Sequence, residues 1–286
     1  MKNYRILIIL ALFGLLLINV FAKDPFTAQV TGLGSPVILI PGLSCSGEVW
    51  NDTVAHYKDH HECHVLTLAG FAGVLANEGE VTAPVTEAIA GYIQTHKLNK
   101  PVIVGHSLGG FIALRLGASH PELVGSLVIV DAYPFLAGVR QPGSTSESAA
   151  AAAKQMRDYL AAIPDEAFQS SLKAGTFTRS LVIGEAEHAR IVAWGLASDR
   201  RTANQAMFEI MSTDLRPDLA RITAPTLVMG SWISYRPFVD HARIELLLRD
   251  QYSLLSGVQI AISDTARHFI MLDDPVWFFK QLDTVL

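Results

Sequence analysis

A short motif between a predicted strand and a predicted helix constrains this chain most. Residues 101–104 are uniformly apolar, which is typical of a buried parallel strand. They lead through Gly105-His106-Ser107-Leu108-Gly109 into residues 108–118, whose apolar and small side chains predict a helix. A Ser held in G-x-S-x-G between strand and helix lies on a sharp turn that lifts its hydroxyl above the sheet. The motif predicts Ser107 as a nucleophile, with the Leu108 backbone N–H at the helix N-terminus as an oxyanion donor.

Strand-like and helix-like segments alternate along most of the chain. The predicted strands are residues 37–40, 65–68, 101–104, 127–130, 226–229 and 258–262. The predicted helices beside them are residues 48–59, 83–96, 108–118, 243–250 and 277–285. Near-continuous apolar strands in such an alternation predict an α/β fold with a mostly parallel central sheet and helices on both faces. Ligands of such sheets bind beyond the carboxyl ends of the strands.

Residues 133–222 interrupt this alternation. Helical patterns occur there without intervening strands, at residues 149–154, 165–173, 185–197 and 203–213. We expect residues 133–222 to form a helical cap insertion over the strand ends, with residues 23–132 and 223–286 forming the core. Such a cap excludes water and shapes an apolar substrate pocket.

The first 22 residues have the pattern of a targeting segment. Lys2 and Arg5 precede an apolar run over residues 6–20, and Ala22 supplies a small residue at a cleavage site. This pattern predicts a signal peptide over residues 1–22 and export to the periplasm or medium, with an uncleaved membrane anchor as the alternative. Cleavage removes two of the 22 basic residues and none of the 27 acidic ones, so the net charge changes from −5 to −7. A mildly acidic chain without basic runs argues against nucleic acid as a partner, and no stable membrane partner is expected after cleavage.

Cysteine and histidine residues indicate neither a disulfide nor a metal site. Cys45 follows the first predicted strand, whereas Cys63 precedes the second, so parallel strands place them at opposite ends of the sheet. We therefore expect two free thiols. No cluster of acids or cysteines completes a metal ligand set at a useful spacing with His60, His61 and His64, which are typical of a polar helix end that leads into a strand. No organic cofactor is expected, because no phosphate-binding glycine loop follows the first strand.

Three motifs together resemble the α/β-hydrolase superfamily, in its capped serine esterase-type branch. They are Ile-Leu-Ile-Pro-Gly-Leu at residues 38–43, the motif at residues 105–110, and Arg-His-Phe-Ile-Met-Leu-Asp-Asp-Pro at residues 267–275. The resemblance implies that His268 is the base that activates Ser107. It also implies that the backbone N–H of Leu43 joins that of Leu108 in an oxyanion hole. The family often has His-Gly before the second donor, where this chain has Pro41-Gly42. The difference is tolerable because the donor is a backbone N–H group.

The third member of the triad departs from the usual family pattern. Residues 230–235, where the acid usually follows its strand, contain no carboxylate. A family variation places the acid after the preceding strand, and here that position is Asp131. The chain order Ser107, Asp131, His268 also agrees with the family. Asp240 is the second choice. It ranks below Asp131 because it lies at a predicted helix start, where it suits an N-cap role. Asp264 ranks third, because it stands only four residues before His268.

The function implied by the resemblance is an exported serine hydrolase that cleaves carboxylic esters of small to medium apolar substrates through an acyl-enzyme. Trp232 and Tyr235 follow a strand on the active-site side, so we expect them to line the substrate pocket. A lactonase, a proline-directed peptidase or a C–C hydrolase would use the same triad. A non-catalytic binding protein on the same fold is the alternative outside catalysis. The expected partner is a small-molecule ester, and the sequence leaves the oligomeric state open.

Overall fold

The computed structural model describes residues 24–234, 236–237 and 239–286. The predicted signal peptide and Tyr235 lie outside these residues. In the part of the chain that is described, no helix has the length and apolar character needed to cross a bilayer.

Seven strands form one mostly parallel sheet, which confirms the predicted α/β class. The strands are β1 (Phe26–Thr31), β2 (Ser35–Ile40), β3 (His61–Leu68), β4 (Val102–His106), β5 (Ser126–Val130), β6 (Thr226–Ser231) and β7 (Gln259–Ser263). Their order across the sheet is β1-β3-β2-β4-β5-β6-β7. Strand β1 pairs antiparallel with β3, and every other pairing is parallel. Strand β1 is not among the strands predicted from the sequence, because five of its six residues are exposed and carry no buried-strand pattern.

Among the described residues, eleven α-helices surround the sheet. They are α1 (Asn51–Tyr57), α2 (Thr82–Thr95), α3 (Leu108–Ser119), α4 (Leu136–Arg140), α5 (Ser146–Ala162), α6 (Asp165–Ala174), α7 (Glu185–Ala197), α8 (Arg200–Ser212), α9 (His241–Gln251), α10 (Ile270–Asp273) and α11 (Pro275–Leu282). The predicted helix at residues 48–59 divides into a 3-10 turn, Gly47–Trp50, and α1. Helices α1–α3 and α9–α11 alternate with the strands, whereas α4–α8 all lie between β5 and β6, within residues 133–222.

Alternation along the central strands builds two hydrophobic cores. Ile38, Ile103 and Ile129 pack on one face of the sheet with α2, α3 and α9. Their chain neighbours Leu39 and Val104 pack on the other face with α1, α10 and α11. Because successive side chains of a strand point to opposite faces, these strands need apolar residues at every position.

The helices between β5 and β6 have a smaller apolar cluster of their own. It contains Phe135, Ala137, Ala149, Ala153 and Met211. Helix α8 also contributes Ala206 and Ile210 to the main core. These helices are therefore packed both on one another and on the main core, and α8 contributes to both clusters.

The strand register brings three loops to one edge of the sheet. Ile40 at the end of β2 is paired with Gly105 near the end of β4. His106 of β4 is paired with Val130, the last residue of β5. The residues that follow these strands, which include Leu43, Ser107 and Asp131, therefore leave the sheet at the same edge.

Candidate active site

Ser107 stands in a strained turn between β4 and α3. Its backbone has φ 53° and ψ −116°, a region that residues with a side chain rarely occupy. Its N–H donates to the carbonyl oxygen of Val130 at 2.9 Å, and its own carbonyl accepts from the N–H of Phe111 at 3.0 Å. The first hydrogen bond ties the turn to the neighbouring strand, and the second begins the helix. Ser107 is thus held directly beyond the end of β4.

Two glycines make this turn possible. A Cβ on Gly105 would lie 2.2 Å from the carbonyl oxygen of Gly109, and a Cβ on Gly109 would lie 2.2 Å from the carbonyl oxygen of Ile40. Both obstacles are backbone atoms, which cannot rotate away. The spacing of the motif therefore follows from the close approach of α3 to β2 and β4.

The loop after β2 lies against the nucleophile turn. A Cβ on Gly42 would be 3.3 Å from the Cβ of Ser107, so the Pro41-Gly42 turn approaches Ser107 directly. Leu43 follows and is half-buried, and Ser44 has a left-handed φ of 57°. Leu108 is the first residue of α3 on the other side of Ser107. This arrangement brings the loops of both predicted oxyanion donors to Ser107.

Asp131 and His268 form a direct hydrogen bond. Nδ1 of His268 is 2.6 Å from Oδ2 of Asp131, and the Asp131 side chain is only 6% exposed. The backbone of Asp131 is left-handed, with φ 44°, and its N–H donates to the carbonyl oxygen of Met229. A carboxylate at Nδ1 holds the proton on that nitrogen, so Nε2 is left to act as the base.

The usual position of the acid in the family is filled by a backbone donor. The N–H of Ser231, at the end of β6, donates to Oδ1 of Asp131 at 3.0 Å. Both oxygens of Asp131 are thereby hydrogen-bonded, one by the ring of His268 and one by the neighbouring strand. This second contact has no signal in the sequence, since the two residues are 100 positions apart.

The other two acids considered from the sequence are placed elsewhere. Asp240 is the N-cap of α9, and its side chain accepts from the N–H of Arg243 at 2.8 Å. Asp264 is 67% exposed and lies 3.5 Å from His241. Of the three acids, Asp131 is the one that contacts His268.

His106 supports the loop that carries His268. Its Nε2 lies 3.0 Å from the carbonyl oxygen of His268, and the two ring centroids are 4.6 Å apart. Burial, and secondarily the neighbouring His268, hold the pKa of His106 well below its ordinary value. The ring is therefore neutral, with Nε2 as the donor to the carbonyl. The sequence analysis did not identify this contact.

A buried tyrosine supports the residue after Asp131. The hydroxyl of Tyr252 donates to the carbonyl oxygen of Ala132 at 2.8 Å. Burial, together with the charge of Asp131, raises the pKa of Tyr252 well above its ordinary value. Tyr252 thus remains a neutral donor that fixes the left-handed turn at Asp131.

The two cysteines are buried and free. Cys63 is paired with Val37 near the start of β2, whereas Cys45 follows the end of that strand. Burial raises the pKa of the Cys45 thiol to about 12, so this residue is a protonated thiol at neutral pH. Its place in the loop after β2 therefore does not make it a second nucleophile.

Of the histidines near β3, His64 has hydrogen-bond partners other than a metal. His64 is buried between Glu62, at 2.8 Å, and the hydroxyl of Tyr92, at 2.9 Å. Burial lowers the pKa of His64. Among the residues that the structure describes, no group of His, Cys, Asp and Glu side chains could hold a metal ion.

Trp232 follows β6 and is half-buried. Its Nε1 donates to the carbonyl oxygen of Val239 at 2.9 Å, and its ring meets that of His241 edge to face. These contacts connect Trp232, just after β6, to the residues at the start of α9. That Trp232 also lines a substrate pocket stays a prediction.

The fold and this edge of the sheet define the class of protein. A family model described as the Alpha/beta hydrolase family matches residues 37–281. The chain belongs to the α/β-hydrolase family.

Three known proteins illustrate its similarity. A pimeloyl-acyl-carrier protein methyl ester esterase of Vibrio cholerae is 33% identical over 109 residues, which cover 38% of this chain and 41% of that relative. A protein described as a carbamate hydrolase, RutD, of Yersinia enterocolitica is 28% identical over 70% of this chain and 72% of its own length. The solved structure of an esterase from Exiguobacterium antarcticum has a TM-score of 0.73 at 20% identity, covering 91% of this chain and 94% of that one. The last similarity concerns the fold alone.

Proposed function

We propose that this hydrolase is a serine esterase that cleaves carboxylic esters of small to medium apolar substrates. The observation that carries the proposal is the hydrogen-bonded pair of Asp131 and His268, at the same edge of the sheet as the strained turn of Ser107. Such a pair is the device that converts a serine hydroxyl into a nucleophile at neutral pH.

The residues then have the following roles. Ser107 Oγ attacks the ester carbonyl carbon while Nε2 of His268 takes its proton. The carbonyl oxygen becomes an oxyanion that accepts hydrogen bonds from the backbone N–H groups of Leu43 and Leu108. The C–O bond to the alcohol then breaks, and His268 returns the proton to the leaving oxygen. Water then attacks the carbonyl carbon of the acyl-enzyme while Nε2 of His268 takes a proton from it. The bond to Ser107 Oγ breaks, His268 returns the proton to that oxygen, and the acid is released.

The apolar character of the insertion supports the proposed substrate class. The cluster of Phe135 and Met211 begins four residues after Asp131 and is continued by α5. Trp232 and Tyr235, which the sequence predicts to line the substrate pocket, are part of the same proposal. The names of the two sequence relatives describe an ester and a carbamate as substrates, and both groups have a carbonyl carbon bonded to oxygen.

Replacing the nucleophile tests the proposal most directly. A fluorophosphonate should label the wild type covalently and leave Ser107→Ala unlabelled, because the labelled oxygen is removed. Hydrolysis of p-nitrophenyl acetate should fall about 10⁴-fold or more. Ser253→Ala, an exposed serine after α9, is the matched control and should retain label and rate.

Two outcomes would contradict the assignment. Labelling that persists in Ser107→Ala would place the nucleophile elsewhere. A wild type that neither takes the label nor hydrolyses esters, lactones, carbamates or aminoacyl amides would favour the non-catalytic binding protein.

We also propose that the enzyme is exported, because residues 1–22 have the charged start and the apolar run of a signal peptide. In an exporting host, the mature protein should begin at Lys23. N-terminal sequencing of the protein recovered from the periplasm or medium checks this. Full-length protein found only in the membrane fraction would favour the uncleaved anchor.

A further inference from the structure

Helix α2 begins without a local cap. Its N-cap residue is Val81, whose side chain cannot accept a hydrogen bond from the first turn. The first N–H groups of a helix need acceptors, and a buried helix start without them is costly. The acceptors here come from another part of the chain.

Glu209 of helix α8 supplies them. Its Oε1 accepts from the N–H of Val81 at 2.9 Å, and its Oε2 accepts from the N–H of Thr82 at 2.7 Å and from the Thr82 hydroxyl at 2.7 Å. Glu209 is 8% exposed. Its negative charge faces the positive end of the α2 dipole, which favours it there.

The same carboxylate is linked to the rest of the insertion. Nε2 of Gln205, one turn earlier on α8, donates to Oε1 of Glu209 at 2.9 Å. Arg157 of α5 donates to Oε1 of Gln205 at 3.0 Å, and its guanidinium lies 4.3 Å above the ring centre of Phe208. Helices α5 and α8 are therefore joined to each other and, through Glu209, to α2.

The network also reaches the helix that begins at the nucleophile turn. Arg115 of α3 donates to the Thr82 hydroxyl at 3.3 Å. The two residues after Glu209 in α8 pack in different clusters, Ile210 in the main core and Met211 in the smaller cluster with Phe135. A shift of α8 would thus move Met211 and the apolar cluster around Phe135, which stands four residues after Asp131.

We propose that Glu209 is a positioning residue: it anchors the insertion to the core by capping α2, and it thereby sets the space available to the acyl chain of the substrate. The second half of this statement rests on the proposed esterase function, whereas the anchor itself does not. Glu209 does not touch the reacting atoms, so its removal should affect long substrates more than short ones.

The experiment compares Glu209→Ala and Glu209→Gln with Glu147→Gln, an exposed acid at the start of α5. Hydrogen exchange is measured at the amides of Val81 and Thr82, and kcat and KM are measured for p-nitrophenyl acetate and octanoate. In Glu209→Ala the two amides should exchange about tenfold faster, because they lose a charged acceptor. KM for the octanoate should rise several-fold, with kcat for the acetate within about twofold of the wild type.

Glu209→Gln keeps one acceptor oxygen and should lie between the wild type and Glu209→Ala on both measures, while Glu147→Gln should match the wild type. If Glu209→Ala does not fold, Glu209→Gln carries the same comparison. Unchanged exchange at Val81 and Thr82 would overturn the anchor, and faster exchange with an unchanged ratio of the two KM values would overturn the role in substrate positioning. A wild type that hydrolyses neither ester would reject the proposed function, and the exchange measurement would still decide the anchor.

Discussion

Asp131 shows how much a single residue contributes to this site. It ends β5 in a left-handed conformation, which aspartate adopts more readily than most residues. That turn directs one carboxylate oxygen to His268 and the other to the N–H of Ser231. The ring of His268 is held by the first contact, and the carboxylate itself is held by the second.

Removing the charge of Asp131 should impair turnover without unfolding the protein. In Asp131→Asn, the side-chain amide can donate to Nδ1 of His268 and stabilise the wrong tautomer. We expect kcat to fall by roughly 10²–10⁴-fold, measured with p-nitrophenyl acetate and accompanied by circular dichroism.

Asp240→Asn is the matched control. Asp240 caps α9, and asparagine caps helices about as well, so the rate should be unchanged and stability should change by less than about 1 kcal/mol. An inactive Asp240→Asn beside a normally active Asp131→Asn would show that the proposed triad is wrong.

At the scale of elements, the site depends on how closely α3 approaches the sheet. The first turn of α3 lies against the end of β2, and Gly109 leaves no room there for a side chain. This contact brings the N-terminus of α3 beside the loop of Leu43. The segments of the two proposed backbone donors, Leu43 and Leu108, are thereby brought to one serine.

Adding one methyl group should have opposite effects on stability at Gly109 and at a helix glycine that has free space around it. Gly109→Ala places a Cβ 2.2 Å from the carbonyl oxygen of Ile40, so we expect a loss of about 3 kcal/mol in the free energy of unfolding. Gly91→Ala, in α2, meets no atom within 4 Å and should stabilise the protein by about 0.5–1 kcal/mol. Urea unfolding of both variants measures the difference. A Gly109→Ala variant as stable as the wild type would contradict the tight packing of α3 on β2.

At the scale of the whole molecule, the two cores enclose polar groups that must stay uncharged. His106 and His64 are both buried, and burial lowers the pKa of each. In the unfolded chain a histidine binds a proton near pH 6.5, whereas these two resist doing so in the native state. Proton uptake below that pH therefore favours the unfolded chain.

Stability should consequently fall as the pH drops below about 6.5. Each histidine that stays neutral contributes a slope of up to about 1.4 kcal/mol per pH unit. Urea unfolding between pH 8 and pH 5 measures this slope. His106→Asn should flatten it, and His60→Asn, at an exposed position, should leave it unchanged. A wild-type stability that does not change between pH 6.5 and pH 5 would contradict a neutral His106.

The sequence by itself determined the parts of this protein that local rules decide. Apolar runs at residues 37–40, 101–104 and 127–130 specify strands buried on both faces, and a sheet of such strands is parallel and covered by helices. The glycines around Ser107 specify the sharp turn, since that geometry depends on a few neighbouring residues. The exposed strand β1 has no such local pattern, because its place is decided by pairing with β3.

Only the tertiary structure decided which distant groups meet. The sequence could rank Asp131, Asp240 and Asp264, but the partner of His268 depends on which strand ends adjoin, and strand order arises from packing over the whole chain. The contact of Ser231 with Asp131 and that of Glu209 with Val81 span 100 and 128 positions. Their physical origin is the need of buried carboxylates and helix N-termini for hydrogen-bond partners, which the fold satisfies wherever it brings the two together.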